Sequence, residues 1–202
     1  RRKGVFSALL GEAERVLGRF NYASELFVID SRSGVGKKAA ASFGACHEYT
    51  EYAMRYVGGA ALLSVDGLSI ARLGEDSIDS LVELRAEAFK GSREDAESFE
   101  RTTFVSANRQ VYGAYFGDLL VGACSLGFEG RSVSINGLVI AQARRGRGLG
   151  QAFLAAIVFM LSSGGYEMLL DVNSENVNAF HIYQKLGFAV RRSVDYHRRA
   201  IR

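Results

Sequence analysis

Apolar and polar positions along the chain fall into two rhythms. Val133-Ser134-Ile135-Asn136-Gly137-Leu138-Val139-Ile140 alternates and is rich in β-branched residues, which predicts a half-buried strand. Ala152, Phe153, Ala156, Ile157, Phe159, Met160 and Leu161 then predict a helix buried around most of its circumference. Leu170-Asp171-Val172-Asn173 closes a short strand. Beyond it Ala179, Ile182, Tyr183 and Leu186 recur at helical spacing, with Asn176 placed to cap the helix start and Gly187 to end it in a left-handed residue. Phe188 opens a terminal hairpin over Phe188–Ile201. Upstream, Leu68–Arg72 reads as a strand. Asp76–Phe89 is an amphipathic helix with Ile78, Leu81, Val82, Leu84, Arg85 and Phe89 roughly on one side. Ser92–Ser106 is a more polar helix carrying Phe99 and Phe104, and Val111–Phe116 and Leu119–Leu126 form a hairpin across Gly117-Asp118.

Between the alternating strand and the apolar helix lies Arg144-Arg145-Gly146-Arg147-Gly148-Leu149-Gly150. Glycines there let backbone approach a ligand closely. The first helical N–H groups lack internal partners, and the helix dipole adds roughly half a positive charge beside the arginines. Phosphate is the natural guest of such a site, although a glycine loop by itself is also compatible with a plain tight turn. The spacing is neither the G-x-G-x-x-G of dinucleotide folds nor a P-loop, since no Gly-Lys-Ser/Thr follows.

The pattern R-x-x-G-x-G, followed by N-x-x-A-x-x-x-Y-x-K-x-G-F, resembles the GCN5-related N-acetyltransferase (GNAT) family. Arg145, Gly148 and Gly150 match its first motif; Asn176, Ala179, Tyr183, Lys185, Gly187 and Phe188 match its second. The resemblance implies an α/β fold with a mixed, mostly antiparallel sheet flanked by helices. It also implies acetyl transfer from acetyl-CoA to a primary amine in a direct ternary complex. In that family two central strands splay apart and the pantetheine arm lies in the gap. Its backbone partners would here be Leu138, Val139 and Ile140, and the pyrophosphate would meet Arg145, Gly146, Arg147, Gly148, Leu149, Gly150 and Gln151. Asn173 and Asn176 complete the expected cofactor contacts, and Asn176 can also serve simply as a helix cap.

Acyl transfer needs a neutral amine, a stabilised oxyanion and a proton for the leaving thiolate. The resemblance makes Tyr183 the proton donor; a tyrosine packed only on its ring is the alternative. Asn136 is the second catalytic candidate. Many family members carry a glutamate on the strand that here offers Ser132, Ser134 and Asn136, none of which is a base. Glu129 lies before that strand, and Asp171 and Glu175 flank the second motif; a water chain or a substrate already partly deprotonated would also serve. His181, two residues from Tyr183, falls on another helix face. Lys185 and Phe188 are expected to be structural.

The N-terminus repeats these motifs in weaker form. With Gly4 set on Gly148, Arg1, Lys3, Val5 and Leu10 fall on Arg145, Arg147, Leu149 and Leu154; with Gly44 set on Gly187, Phe43 falls on Leu186. Ser7–Leu17 reads as a helix, Glu25–Asp30 as a strand, Gly36–Phe43 as a short helix and Cys46–Tyr56 as a strand. Residues 1–58 are therefore expected to be the rear half of a degenerate GNAT-like copy whose front half lies outside this sequence. Residues 59–67 would be a linker and residues 68–202 a complete domain. Ala40 falls on Tyr183, Ser33 on Asn176 and Phe6 on Gly150, so this copy is expected not to catalyse.

The net charge of +3 over 202 residues is too small to argue for nucleic acid by itself. The basic clusters are short and scattered, so no nucleic-acid partner is expected. A nucleic-acid-associated basic protein is a third reading, which salt-dependent retention on DNA would reveal. No stretch approaches the roughly 18 apolar residues of a membrane span, and no secretory signal is read. A cytoplasmic protein without a membrane or metal partner is expected, with a small-molecule or protein amine as acceptor and a homodimer left open. Cys46 and Cys124, each in apolar context, are expected to be buried free thiols. The alternative function is a catalytically silent acyl-CoA-binding sensor or scaffold, favoured by the missing carboxylate and opposed by Tyr183 and Asn176.

Overall fold

The computed structural model describes residues 4–20, 22–59, 63–89 and 92–201. The basic residues at positions 1–3 and the middle of the expected linker lie outside the described residues. The chain runs α1 (Val5–Leu17), β1 (Ser24–Asp30), α2 (Gly34–Ser42), β2 (Cys46–Tyr56), β3 (Leu68–Arg72), a 3-10 turn, α3 (Ile78–Phe89), α4 (Arg93–Val105), β4 (Arg109–Phe116), β5 (Leu119–Glu129), β6 (Ser132–Ile140), a second 3-10 turn (Gln142–Arg144), α5 (Leu149–Ser163), β7 (Glu167–Asn173), α6 (Val177–Lys185) and β8 (Phe188–Ala200). It divides into two compact units, Tyr52–Arg192 and Arg1–Glu51 with Ser193–Arg202, so β2 and β8 each pass from one unit into the other.

In the larger unit the strand order is β8-β2-β7-β6-β5-β4-β3. Pairing is antiparallel from β3 to β6 and parallel between β6 and β7. The expected mixed, mostly antiparallel sheet flanked by helices is what forms. One buried cluster sets Phe153, Leu154 and Ile157 of α5 against Val133, Ile135, Met168 and Leu170; a second sets Leu81 and Leu84 of α3 against Val111, Ala123 and Val139. Of the expected α3 stripe, Leu81, Val82, Leu84 and Arg85 are buried and Ile78 is half-buried, while the Phe89 side chain lies outside what the structure describes. The helix α5 is less enclosed than expected: Phe159 points away from the stripe of Phe153, Leu154, Ile157 and Leu161, and Met160 lies at the edge of that stripe, so both are exposed.

The expected terminal hairpin does not form. Phe188–Ala200 is one strand of 13 residues. It contains no glycine, asparagine or proline to make a turn, and Asp195, near its middle, is buried. Cys46 also departs from expectation. It is exposed, whereas Cys124 is buried.

In the smaller unit β1 pairs antiparallel with β8, from Ser24 opposite Ala200 to Asp30 opposite Val194. Its core is small (Ile29, Ala40 and Ala45), and α1 buries none of its residues. The order α1-β1-α2-β2 repeats the order α5-β7-α6-β8. Details recur too. Gly4 and Gly148 are left-handed N-caps; Ser33 Oγ accepts from Gly36 N–H at 3.1 Å as Asn176 Oδ1 accepts from Ala179 N–H at 3.2 Å.

The buried carboxylate of Asp195 accepts from Ser31 Oγ at 2.5 Å and Thr50 Oγ1 at 2.8 Å, and pairs with Lys37 Nζ at 2.7 Å. Burial pushes this carboxyl up, but the hydrogen bonds from Lys37, Ser31 and Thr50 outweigh it and hold it at about 2. A depressed acid contributes stability above its unfolded value and loses it as pH falls toward its folded value. Urea unfolding should therefore show a loss on the order of 1 kcal/mol between about pH 4 and pH 2, discounted for the solvent exposure of Lys37. Asp195→Asn should lack that component; an unchanged acid limb in the variant would contradict the assignment.

Candidate active site

β6 and β7 pair only at their beginnings. Ser132, Val133 and Ser134 stand opposite Glu167, Met168 and Leu169, and no pair follows. Past that point β6 keeps its antiparallel partner β5 on one side and its backbone faces a gap on the other. The register on the β5 side also breaks here: Asn136 pairs with Ser125 and Val139 with Ala123, leaving Gly137 and Leu138 opposite Cys124 alone. This is a β-bulge, and one extra residue exchanges the two faces of the strand. Val133 and Ile135 belong to the α5 cluster, as do Leu138 and Ile140, whereas Val139 joins the α3 cluster.

Gly137 makes the bulge with φ +58°, a conformation that side chains rarely adopt, and a Cβ there would also clash with Arg85 Nη1. Arg85 Nη1 donates to the Gly137 carbonyl at 2.9 Å, and Nη2 donates to Ser125 Oγ at 3.1 Å. Arg85 Nε donates to Glu100 on α4, and the guanidinium lies 5.0 Å from the centre of the Phe99 ring. Both partners of the ion pair are shut off from solvent, and Glu100 Oε2 is left without a hydrogen bond. Burial pushes the Glu100 carboxyl up, and the Arg85 charge opposes that rise.

The loop after β6 is built for exposure of its backbone. Gly146 and Gly148 both have φ +75°, and neither has a neighbouring atom within Cβ contact. Ala152 N–H bonds back to the Gly148 carbonyl at 3.0 Å. The N–H groups of Leu149, Gly150 and Gln151 precede this first α5 bond and lie where helical partners are lacking. Gly150 allows α5 to sit tightly on β6, since a Cβ would stand 3.3 Å from Ile140 Cγ1. Arg145 turns back and donates from Nε to the Ile140 carbonyl at 2.9 Å, so it braces the loop and already occupies one backbone group expected to meet a ligand. Arg147 is exposed.

Tyr183 is buried on α6 with its ring near Phe188 at 6.3 Å. Burial, with a smaller effect from the Cys124 thiol, pushes its phenol up to about 12. It is therefore protonated at neutral pH. Asn136 is half-buried and donates from Nδ2 to the Ser134 carbonyl at 3.1 Å. Asn173 Oδ1 accepts from Glu175 N–H at 2.8 Å, holding the turn into α6. Among the candidate bases, Glu129, Glu175 and His181 are exposed. Asp171 shares a face of β7 with Leu169 and Asn173, opposite the buried Met168, Leu170 and Val172. Its side chain is exposed like those three, and the desolvation it does have raises its carboxyl against the pull of Arg192.

The acetyltransferase (GNAT) family model matches residues 78–188, more than half of the sequence. The chain belongs to the GNAT acetyltransferase family. Members of this family use acyl-CoA donors. Among solved structures, a GCN5-related N-acetyltransferase from Sphaerobacter thermophilus is similar over 100% of this chain and 70% of its own, with a TM-score of 0.83 and 19% identity. A tandem GNAT protein from the clavulanic acid biosynthesis pathway is similar over 99% of this chain and 71% of its own (TM-score 0.73, 18% identity). The ribosomal-protein-S18-alanine N-acetyltransferase of Escherichia coli is similar over 66% of this chain and 94% of its own, with a TM-score of 0.55 and 15% identity. These likenesses concern the fold. No curated protein matches the sequence.

Sequence reasoning thus placed the GNAT loop, the capped α6 and the strands around the gap, but it missed the Arg85–Glu100 pair. A signal was present, because an arginine on the apolar stripe of α3 must find a buried partner. The Asn136-Gly137 step inside a strand was likewise a bulge signal. Arg85→Met would leave Glu100 buried and unpaired, and should cost about 3–5 kcal/mol in urea unfolding. Arg85→Met/Glu100→Leu should recover part of that loss, since the unpaired charge is gone while the Gly137 carbonyl and Ser125 hydroxyl still lack their donor. Equal stabilities for the single variant and the parent protein would show that the pair is not coupled.

Proposed function

We propose that this chain transfers an acetyl group from acetyl-CoA to a primary amine, with both substrates bound together. The parting of β6 from β7 immediately beside the left-handed glycine loop of α5 carries this reading. A pantetheine arm is a secondary amide chain and needs backbone partners along an open strand, which Leu138–Ile140 would supply as an added strand does. A pyrophosphate needs clustered donors, which Gly146–Gln151, Arg147 and the α5 dipole would supply. Asn173 and Asn176, at the β7–α6 turn, would complete the contacts to the same ligand. Acetyl-CoA supplies an activated thioester and a thiolate leaving group. Tyr183 keeps its proton to high pH and would deliver it to that sulfur, while Asn136 would orient the reacting amine from β6.

The same reading takes residues 1–58 as a degenerate second copy, supported by the repeated element order and the matching Gly4 and Gly148 caps. Ala40 falls on Tyr183 when Gly44 is set on Gly187, so only the copy at Gly148 would catalyse. Because Ser132, Ser134 and Asn136 include no base, a silent acyl-CoA-binding protein is the second reading; turnover separates the two.

Gly148→Asp should abolish acetyl-CoA binding in calorimetry while circular dichroism stays unchanged; retained affinity in a folded variant would refute the loop assignment. Tyr183→Phe should lower kcat by about 100- to 10,000-fold with little change in acetyl-CoA affinity. With the Tyr183 phenol at about 12, kcat/KM should rise with amine deprotonation and show no alkaline fall attributable to this residue below about pH 11. A fall near pH 8 that vanishes in Tyr183→Phe would contradict the proton-donor role.

A further inference from the structure

A cavity of about 310 Å³ opens between α3, α4 and the bulge of β6, a size at the low end of small-ligand sites. Ala86, Ala96 and Phe99 form its apolar walls, and Asn136 and Gly137 form its β6 side. The next residue along β6 is Leu138, so the cavity abuts the open strand edge within one residue. Its charged lining group is Arg85, already committed to Gly137, Ser125 and Glu100. Glu100 itself is fully enclosed behind that guanidinium and neutralises it. Among the described lining residues, an entering ammonium would meet no carboxylate.

We propose that this cavity holds the apolar body of the acceptor, and that the acceptor is a monoamine carrying a phenyl-sized apolar group. The inference rests on the transferase reading above and names the acceptor class for that site. A polyamine or aminosugar would bury additional ammonium groups without partners, which is strongly unfavourable. An apolar body instead gains by leaving water, and its amine is held neutral beside the transfer edge because the desolvated wall disfavours the charged form. The ammonium leaves its proton to bulk water on entry, and the lowered basicity of the desolvated amine stands in for a base on β6. Recognition then runs through shape and desolvation of the body, with Ser92 and Asn136 as the polar groups at the lining.

The test uses the full chain with acetyl-CoA and three probe amines: 2-phenylethylamine, n-propylamine and spermidine. Release of the CoA thiol should give a KM for 2-phenylethylamine about 10- to 100-fold below that for n-propylamine, with spermidine the poorest substrate. Ala96→Phe, which fills the cavity from α4, should raise the 2-phenylethylamine KM about tenfold while leaving acetyl-CoA affinity unchanged by calorimetry. Ala86→Phe provides the same readout if the first variant does not fold. Spermidine matching or outperforming 2-phenylethylamine, or an unaltered KM in a folded filled variant, overturns the proposal while leaving the transferase reading intact. If no amine is acetylated, the transferase reading fails. Direct calorimetry of 2-phenylethylamine then decides the cavity: binding lost in Ala96→Phe supports it, and no binding to the parent protein overturns it.

Discussion

A guanidinium cannot be buried without partners, and Arg85 finds three on three different elements. Glu100 on α4 takes its charge, Ser125 on β5 takes one N–H, and the Gly137 carbonyl on β6 takes another. The last of these bonds fixes the point where β6 carries one residue more than β5. Only glycine satisfies that point, since the backbone is left-handed and the guanidinium occupies the space of a Cβ. Beyond it the faces of β6 exchange, so Leu138 and Ile140 pack with the α5 cluster while Val139 turns to α3. The bulge bends β6 over the same residues at which pairing with β7 has ended. The pair also carries a cost: one buried carboxylate oxygen stays unbonded.

The helix α5 complements the opened strand. Its apolar flank is fixed against the sheet by Phe153, Leu154 and Ile157, which anchors its N-terminus beside the end of β6. Gly150 permits that approach and Arg145 ties the intervening loop to Ile140. In the proposed reading, preorganised donors therefore need little rearrangement to receive an anionic ligand, which is how such sites gain affinity without large contact area. Tyr183 lies in the same packed cluster, so its hydroxyl is held in an environment that favours the neutral, proton-bearing form.

Much of this architecture was legible in the sequence because it depends on local chemistry. Alternation marked β6, the left-handed glycines marked the loop and the end of α6, and Asn176 marked its cap. The failures share a different cause. Asp195 looks like a surface or turn residue from its neighbours, and only Ser31, Lys37 and Thr50, far away in sequence, explain why β8 runs straight through it. Arg85 and Glu100 are separated by a helix junction, and a single sequence pattern cannot pair them. Cys46 sits among strand-forming residues, yet its side chain falls on an exposed face. Long-range polar partnerships were thus the part that local patterns did not carry.

In the proposed reading one ligand spans the opened edge of β6 and the first turn of α5. Amide hydrogen exchange tests it directly, and the absence of proline means that every residue beyond the first carries an exchangeable backbone amide. Saturating acetyl-CoA should slow exchange across Leu138–Gln151 and into the β7–α6 turn, with no matching protection at Gly4–Leu10. Protection absent from Leu138–Gln151, or appearing equally at Gly4–Leu10, would contradict the account.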